Sequence, residues 1–309
     1  MPDPAGRCGP PNPARAGTPR NAPQRVASLP RALSKLGYCS RGEAIALIEQ
    51  GRVAIDGRPA RGAAQRVDLS RARITVDGQP IAAQAPIHMM LNKPRGLVTT
   101  RSDPQARSTV YDCLPPGLPF LSPVGRLDKA SEGLLFMTND TAWADHLLNP
   151  ASNVAKTYHV KVDRVVDAAL VRRLAEPVVD GDERLTARSV ALLRQGSRSS
   201  WVEVVLTEGR NRQVRRILAA HGLTVLRLVR VAIGGVELGT LGKGMTRALT
   251  AAEIRRLAAR PPAPEAGGPG RAGPEGHRPR TSRSAPPNGA TATKGAAAGN
   301  RRGDNRGSS

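Results

Sequence analysis

Residues 124–140 read VGRLDKASEGLLFMTND. The second half contains an uninterrupted apolar run, Leu134, Leu135, Phe136 and Met137, and ends at the turn pair Asn139-Asp140. This pattern predicts a buried strand. The first half is a loop of small and charged residues, with Asp128 set between Arg126 and Lys129. Nearby positive charge favours the ionised form of such a carboxylate. A loop anchored on a buried strand can also hold the group still, as a nucleophile or base requires. A surface ion pair leaves the same trace, so charge and spacing alone do not separate the two readings.

The chain has 309 residues, enough for two domains, and a net charge of +22. Residues 1–27 hold four Arg and one Asp, and residues 261–309 hold eight Lys or Arg and three Asp or Glu. That leaves +14 on the span between, so the folded part itself is basic and points to a polyanionic partner, nucleic acid foremost. Two Trp, three Tyr and two Phe are too few for an RNA module that stacks bases on aromatic side chains. Cys8, Cys39 and Cys113 show neither metal-ligand nor redox spacing, which fits a reduced, cytoplasmic protein. His88, His146, His159, His221 and His277 are isolated, and no zinc site is implied. The N-terminus has no apolar core of a secretory signal, and no apolar run reaches membrane-spanning length.

Composition divides the chain into Pro/Gly/Ala/Arg tails at 1–27 and 261–309, expected to be disordered, and two folded units. In residues 28–82, Leu29, Leu33 and Leu36 fall at helical spacing with Gly37 as the stop. Ser40-x-x-Glu43 is a capping box that opens a second helix. Short strands follow at Val53–Ile55 and Arg73–Val76, each turning at Asp-Gly. Residues 79–86 read as a linker, its core at 83–86. The larger unit, 87–260, opens with a strand at Ile87–Leu91 and a turn at Asn92–Gly96. Residues 101–123 carry several prolines and are expected to be mostly loop. A helix over Ala142–Leu148 is capped by Asp140 or Thr141. Lys156–Val162 alternates as a strand, with Tyr158, Val160 and Val162 on one face. Further strands are expected near Leu185–Leu193, Trp201–Leu206 and Val225–Ile233. Glu208–Arg216 is a basic loop that enters a helix, where Arg212, Arg215 and Arg216 fall on neighbouring rows and Arg210, Arg212 and Arg216 suit phosphates. The fold class is α+β: a small helical/β domain, then a mostly antiparallel sheet with helices on its faces.

GRLDKASEGLLFMTND resembles the signature of bacterial pseudouridine synthases of the RsuA/RluB/RluE/RluF type. LNKPRGLVTT, KTYHVKV and EGRNRQVRRI match further motifs of that family in family order, and LSKLGYCSRGEAIALIEQGRVAIDGRPA resembles the small RNA-binding domain of the ribosomal protein S-four type. The resemblance implies isomerisation of a uridine in structured RNA to pseudouridine, without cofactor or metal. By the same match Asp128 is the catalytic nucleophile, Tyr158 packs on the target base, and Arg215 pairs with Asp128. The expected RNA contacts are Arg31, Lys35, Arg41, Arg52, Lys93, Arg126, Arg210, Arg212 and Arg216. The expected substrate is 23S rRNA, with 16S rRNA or tRNA as alternatives, and a monomer is expected. A noncatalytic ribosome-assembly factor is the competing reading. A DNA-binding protein lacks any helix-turn-helix or finger pattern to support it.

Overall fold

The computed structural model describes residues 26–101 and 103–259. The expected tails at 1–25 and 261–309 lie outside the described residues. Val26 and Ala27, grouped by composition with the N-terminal tail, instead belong to the fold. They form β1 (Val26–Ser28), which pairs with β4 (Arg66–Asp68) and buries Ala27.

The first domain contains α1 (Leu29–Lys35), with Pro30 in the first turn, where a missing N–H costs nothing. Next is α2 (Arg41–Glu49), opened by the reciprocal Ser40/Glu43 capping box. A small sheet follows from β2 (Val53–Ile55), β3 (Arg58–Pro59), β5 (Ile74–Val76) and β6 (Gln79–Pro80), in the order β3-β2-β5-β6. Both Asp-Gly hairpins have two left-handed residues, as a tight primed turn demands. Because Gln79–Pro80 pairs with β5, the linker begins later than the composition of 79–86 suggests. Leu29, Leu33, Ala44, Ile48, Val53, Ile74 and Val76 form the core.

The second domain carries β7 (His88–Lys93), β8 (Ser122–Pro123), β9 (Glu132–Thr138), α3 (Thr141–Leu148), β10 (Lys156–Val162) and α4 (Ala168–Leu174). It continues with β11 (Val178–Asp180), β12 (Glu183–Leu185), β13 (Ser189–Gln195), β14 (Ser200–Leu206) and α5 (Gln213–Ala220). The last elements are β15 (Val225–Ile233), β16 (Val236–Glu237), β17 (Thr246–Ala248) and α6 (Ala251–Ala258). Two expectations need correction. Asn92 and Lys93 are strand, not turn, and the strand near 185–193 divides into β12 and β13. Residues 103–123 are mostly loop, as expected, with a capped 3-10 turn at Val110–Cys113 and the short β8.

The main sheet runs β13-β14-β10-β15-β9-β7-β17, with β16 beside β15 and β8 beside β9. Every pairing is antiparallel except β9 with β15, a short parallel joint that matches Glu132 to Val229 and Gly133 to Arg230. Gly133 has φ +106, and a Cβ there would lie 2.3 Å from the Arg230 carbonyl oxygen. Only glycine permits this approach of the two half-sheets. Separate cores flank the joint. One packs α4 and α5 on β10, β14 and β15; another packs α3 and α6 around Phe136 and Ile233; a third lies behind β7 and β9.

Candidate active site

A cleft of about 580 Å3 opens where the half-sheets meet. Residues 124–128 and Ser131 form one wall, and residues 208–215 form the opposite one. Lys156, Tyr158, Leu228, Arg230 and Ile233 form the floor. Arg126, Lys156, Arg210, Arg212, Arg215 and Arg230 line it against only two carboxylates, Asp128 and Glu208.

Asp128 sits in a loop whose backbone is held at five consecutive carbonyls. Thr99 Oγ1 donates to Leu127 O at 2.8 Å. Lys93 Nζ donates to Asp128 O at 3.2 Å and to Ser131 O at 2.9 Å. The Gly96 N–H donates to Lys129 O at 2.8 Å, and Arg215 Nη2 donates to Ala130 O at 3.2 Å. Leu127 is buried beneath, while the Asp128 side chain remains 41% exposed toward the cleft. A group held this way loses little entropy when it meets a substrate.

Lys93 is thus placed differently from the expected RNA contact. It is fully buried, and its ammonium serves the carbonyls of Pro94, Asp128 and Ser131. Burial pulls its pKa down to about 8 against the opposing pull of Asp128 and Glu132. It is a strut of the Asp128 loop.

The cations of the opposite wall are also sorted by geometry. The ion pair to Asp128 comes from Arg212, Nη1 to Oδ2 at 3.9 Å, rather than from Arg215. Arg212 does not lie on a helical row. It is the N-cap of α5, with φ +48 in the left-handed region. Arg215 bonds the loop carbonyl of Ala130, and its Nε is buried without a partner. Burial and the nearby Arg212 depress its pKa, while Asp128 opposes the shift. Arg216 is paired with Asp180 and Glu183, which ties α5 to the β11–β12 hairpin. Arg210 is paired with Glu208 and Glu183. Gln213, buried at the start of α5, donates to Glu208 and to Thr186 O and accepts from the Arg210 N–H, which fixes the loop.

Elsewhere, Arg52 is held bidentately by Asp77, and Arg31 lies 3.7 Å from Asp145 of the second domain. Arg41 and Arg126 are exposed, and Lys35 is partly so. Tyr158 is half-buried on the cleft floor, opposite Arg230 in the β10/β15 register. Among the described residues no cluster of His, Cys, Asp or Glu could hold a metal ion, and no helix is long and apolar enough to cross a membrane.

RNA pseudouridylate synthase matches residues 87–220, and the S4 domain matches residues 29–72. An uncharacterised RNA pseudouridine synthase of Rickettsia prowazekii is 40% identical over 217 residues, which span 70% of this chain and 91% of the relative. The chain belongs to the RNA pseudouridine synthase family. An uncharacterised synthase of Mycobacterium leprae is 38% identical over 233 residues, spanning 74% of this chain and 91% of that one. A crystal structure of a pseudouridylate synthase is 28% identical, with TM-score 0.54 over 74% of this chain and 99% of its own. This protein is therefore an RNA pseudouridine synthase of the S4-bearing type, and RNA is its partner.

Sequence reasoning passed over three residues of the synthase cleft. Lys156 shares the face of Tyr158 two residues away, a relation that strand alternation makes visible. Arg230 is a charge inside an apolar strand. Gln213 carries no sequence signal of its role.

Proposed function

We propose that this synthase isomerises a uridine of rRNA, 23S rRNA foremost, as a cytoplasmic monomer with Asp128 as the nucleophile. The observation that carries the reading is the capped loop: a half-exposed carboxylate on a backbone held at five carbonyls, facing a cleft rich in cations.

The target uridine leaves its stack and enters the cleft. An Asp128 carboxylate oxygen attacks C1′ of the ribose, and the C1′–N1 bond breaks with its electron pair going to the base. The base turns in place, C5 forms a bond to C1′, and the ester bond to Asp128 breaks. C5 then loses its proton and N1 gains one, so the product is an isomer of the substrate. Tyr158 stacks on the base and assists removal of the C5 proton. Arg215 positions the loop through Ala130, and Arg212 is the nearest cation to the carboxylate. The small first domain adds phosphate contacts through Lys35 and Arg41 and recognises RNA by shape.

Asp128→Asn keeps the shape and removes the nucleophile. Tritium release from C5-labelled uridine RNA should vanish while RNA affinity persists. Substantial turnover by this variant would refute the assignment. Mapping pseudouridines in 23S rRNA, 16S rRNA and tRNA from cells with and without the gene decides the substrate.

A further inference from the structure

The cleft floor holds more positive charge than its structural contacts use. Lys156 begins β10 and shares the face of Tyr158 by strand alternation, and Arg230 of β15 lies directly opposite Tyr158 in the register; all three line the cleft. Arg230 is only 5% exposed. Its Nε donates to Leu134 O at 2.7 Å, and its Nη2 is buried with no partner. No carboxylate is paired with either side chain among the described residues. Burial and the neighbouring Arg230 bring the Lys156 pKa down to about 8. A buried guanidinium with an orphaned N–H group beside a partly buried ammonium is costly unless a ligand brings negative charge to them.

RNA phosphates are poor candidates for that charge. Arg126 and Arg212 are exposed, where a backbone can pass, whereas Arg230 is buried and Lys156 partly buried, in a cleft they line together with the buried Leu228 and Ile233. The reaction itself supplies an anion at that depth. As the C1′–N1 bond breaks, the negative charge of Asp128 is transferred to the uracil ring. It returns to Asp128 when C5 attaches and the ester opens.

We propose that Lys156 and Arg230 are catalytic residues that stabilise the detached uracil as its anion and keep it in the cleft while it turns. This rests on the nucleophilic role given to Asp128 above. Both cations are in place before the charge arrives, which is the condition under which electrostatic stabilisation is most effective.

The test compares two leaving groups. In vitro transcripts of 23S and 16S rRNA are made with uridine or with 5-fluorouridine, and single-turnover formation of the C-linked nucleoside is followed after nuclease digestion. The fluorinated C5 has no proton to lose, so its product is followed as the C-linked nucleoside that keeps fluorine at C5 and takes up water, hydroxyl at C6 and hydrogen at N1. Fluorine withdraws electrons, so the 5-fluorouracil anion needs less help from the protein. Lys156→Met should slow rearrangement of uridine by on the order of 100-fold, and of 5-fluorouridine by at least tenfold less, with RNA affinity little changed. Lys156→Arg should restore most of the uridine rate. It should also lessen a decline in wild-type rate above about pH 8, because guanidinium stays charged there, leaving the part that Lys93 contributes. The groups lining the same cleft are Arg230 beside Lys156, Asp128 and Arg126 on one wall, and Glu208, Arg210, Arg212 and Arg215 on the other. The phenol of Tyr158 lines the cleft as well, and Lys93, whose pKa is also brought down to about 8, lies beneath the Asp128 loop, so Lys156→Arg is compared with Lys93→Met to separate the two ammonium groups. Equal slowing of both substrates by Lys156→Met, or no slowing of either, overturns the proposal. Melting curves exclude misfolding, and Lys156→Arg provides a folded comparison. Asp128→Asn must abolish both reactions; turnover there would refute the nucleophile assignment, whatever Lys156 does.

Discussion

Lys93→Met separates the placement of Asp128 from the stability of the fold. Methionine fills nearly the same volume, so packing between β7 and β9 changes little. The substitution removes three charge-assisted hydrogen bonds, two of them long at 3.2 Å, which together contribute about 3–5 kcal/mol. It also relieves the burial of an ammonium. The fall of the Lys93 pKa from 10.5 to about 8 corresponds to about 3 kcal/mol against the charged form. The two effects nearly offset, so the net loss of stability should be about 0–2 kcal/mol. Catalysis has no such offset, because the carbonyls of Asp128 and Ser131 lose their strut. A displacement of about 1 Å in a reacting group costs on the order of 100-fold. The expected result is a nearly wild-type melting temperature, unchanged RNA affinity and a single-turnover rate down by about two orders of magnitude. pH gives a second check. The unfolded chain binds more protons than the folded one between about pH 8 and 10.5, so wild-type stability rises with pH across that window. The variant should lose its share of the rise, while Lys156, with a similar depression, keeps its own. A loss above about 4 kcal/mol with normal turnover in the folded fraction would refute the reasoning.

Other expectations follow from the same contacts. Arg215→Lys keeps the charge but loses the planar fork that reaches Ala130, so turnover should fall far more than affinity; Arg212→Lys, which preserves a weak 3.9 Å ion pair, should change both little. Equal, mild effects in single-turnover assays would reduce Arg215 to a phosphate contact. Arg41→Ala and Lys35→Ala should each flatten the slope of log affinity against log salt by about 0.7–0.9, and an unchanged slope would leave these cations facing solvent alone. Glu253, bonded by Arg247 and the Thr250 cap, has a pKa of about 2 in the fold against 4.5 unfolded. Its contribution is present above pH 4.5 and lost as pH falls through 2. Glu253→Gln should therefore cost on the order of 1–2 kcal/mol at pH 7, after solvent screening, and almost nothing at pH 2.

Legibility in the sequence followed the range of each interaction. Ser40/Glu43 and Thr250/Glu253 are capping boxes complete within four residues, and the structure contains both. The Asp-Gly turns and the apolar run of β9 are equally local. Lys93 is not legible in this way, because Lys-Pro reads as an exposed turn. Its burial depends on carbonyls about 35 residues downstream, at Asp128 and Ser131, which local composition cannot report.

Arg212 and Arg215 show how one backbone angle redirects a site. Three-residue spacing puts them on neighbouring rows only if both lie on the helix. The chain enters α5 through a left-handed Arg212, a conformation that a non-glycine residue adopts rarely, and this sends one arginine to the Asp128 carboxylate and leaves the other on the loop backbone. The floor of the cleft repeats the lesson on a sheet. Strict alternation from Leu228 through Arg230 would bring Ala232 inward, yet the register shift on β15 brings Ile233 there and keeps Arg230 opposite Tyr158. A bulge of this kind re-aims side chains without marking the sequence. Tyr158 is therefore legible from its motif, while Arg230 opposite it looks in sequence like one more charge in a basic chain.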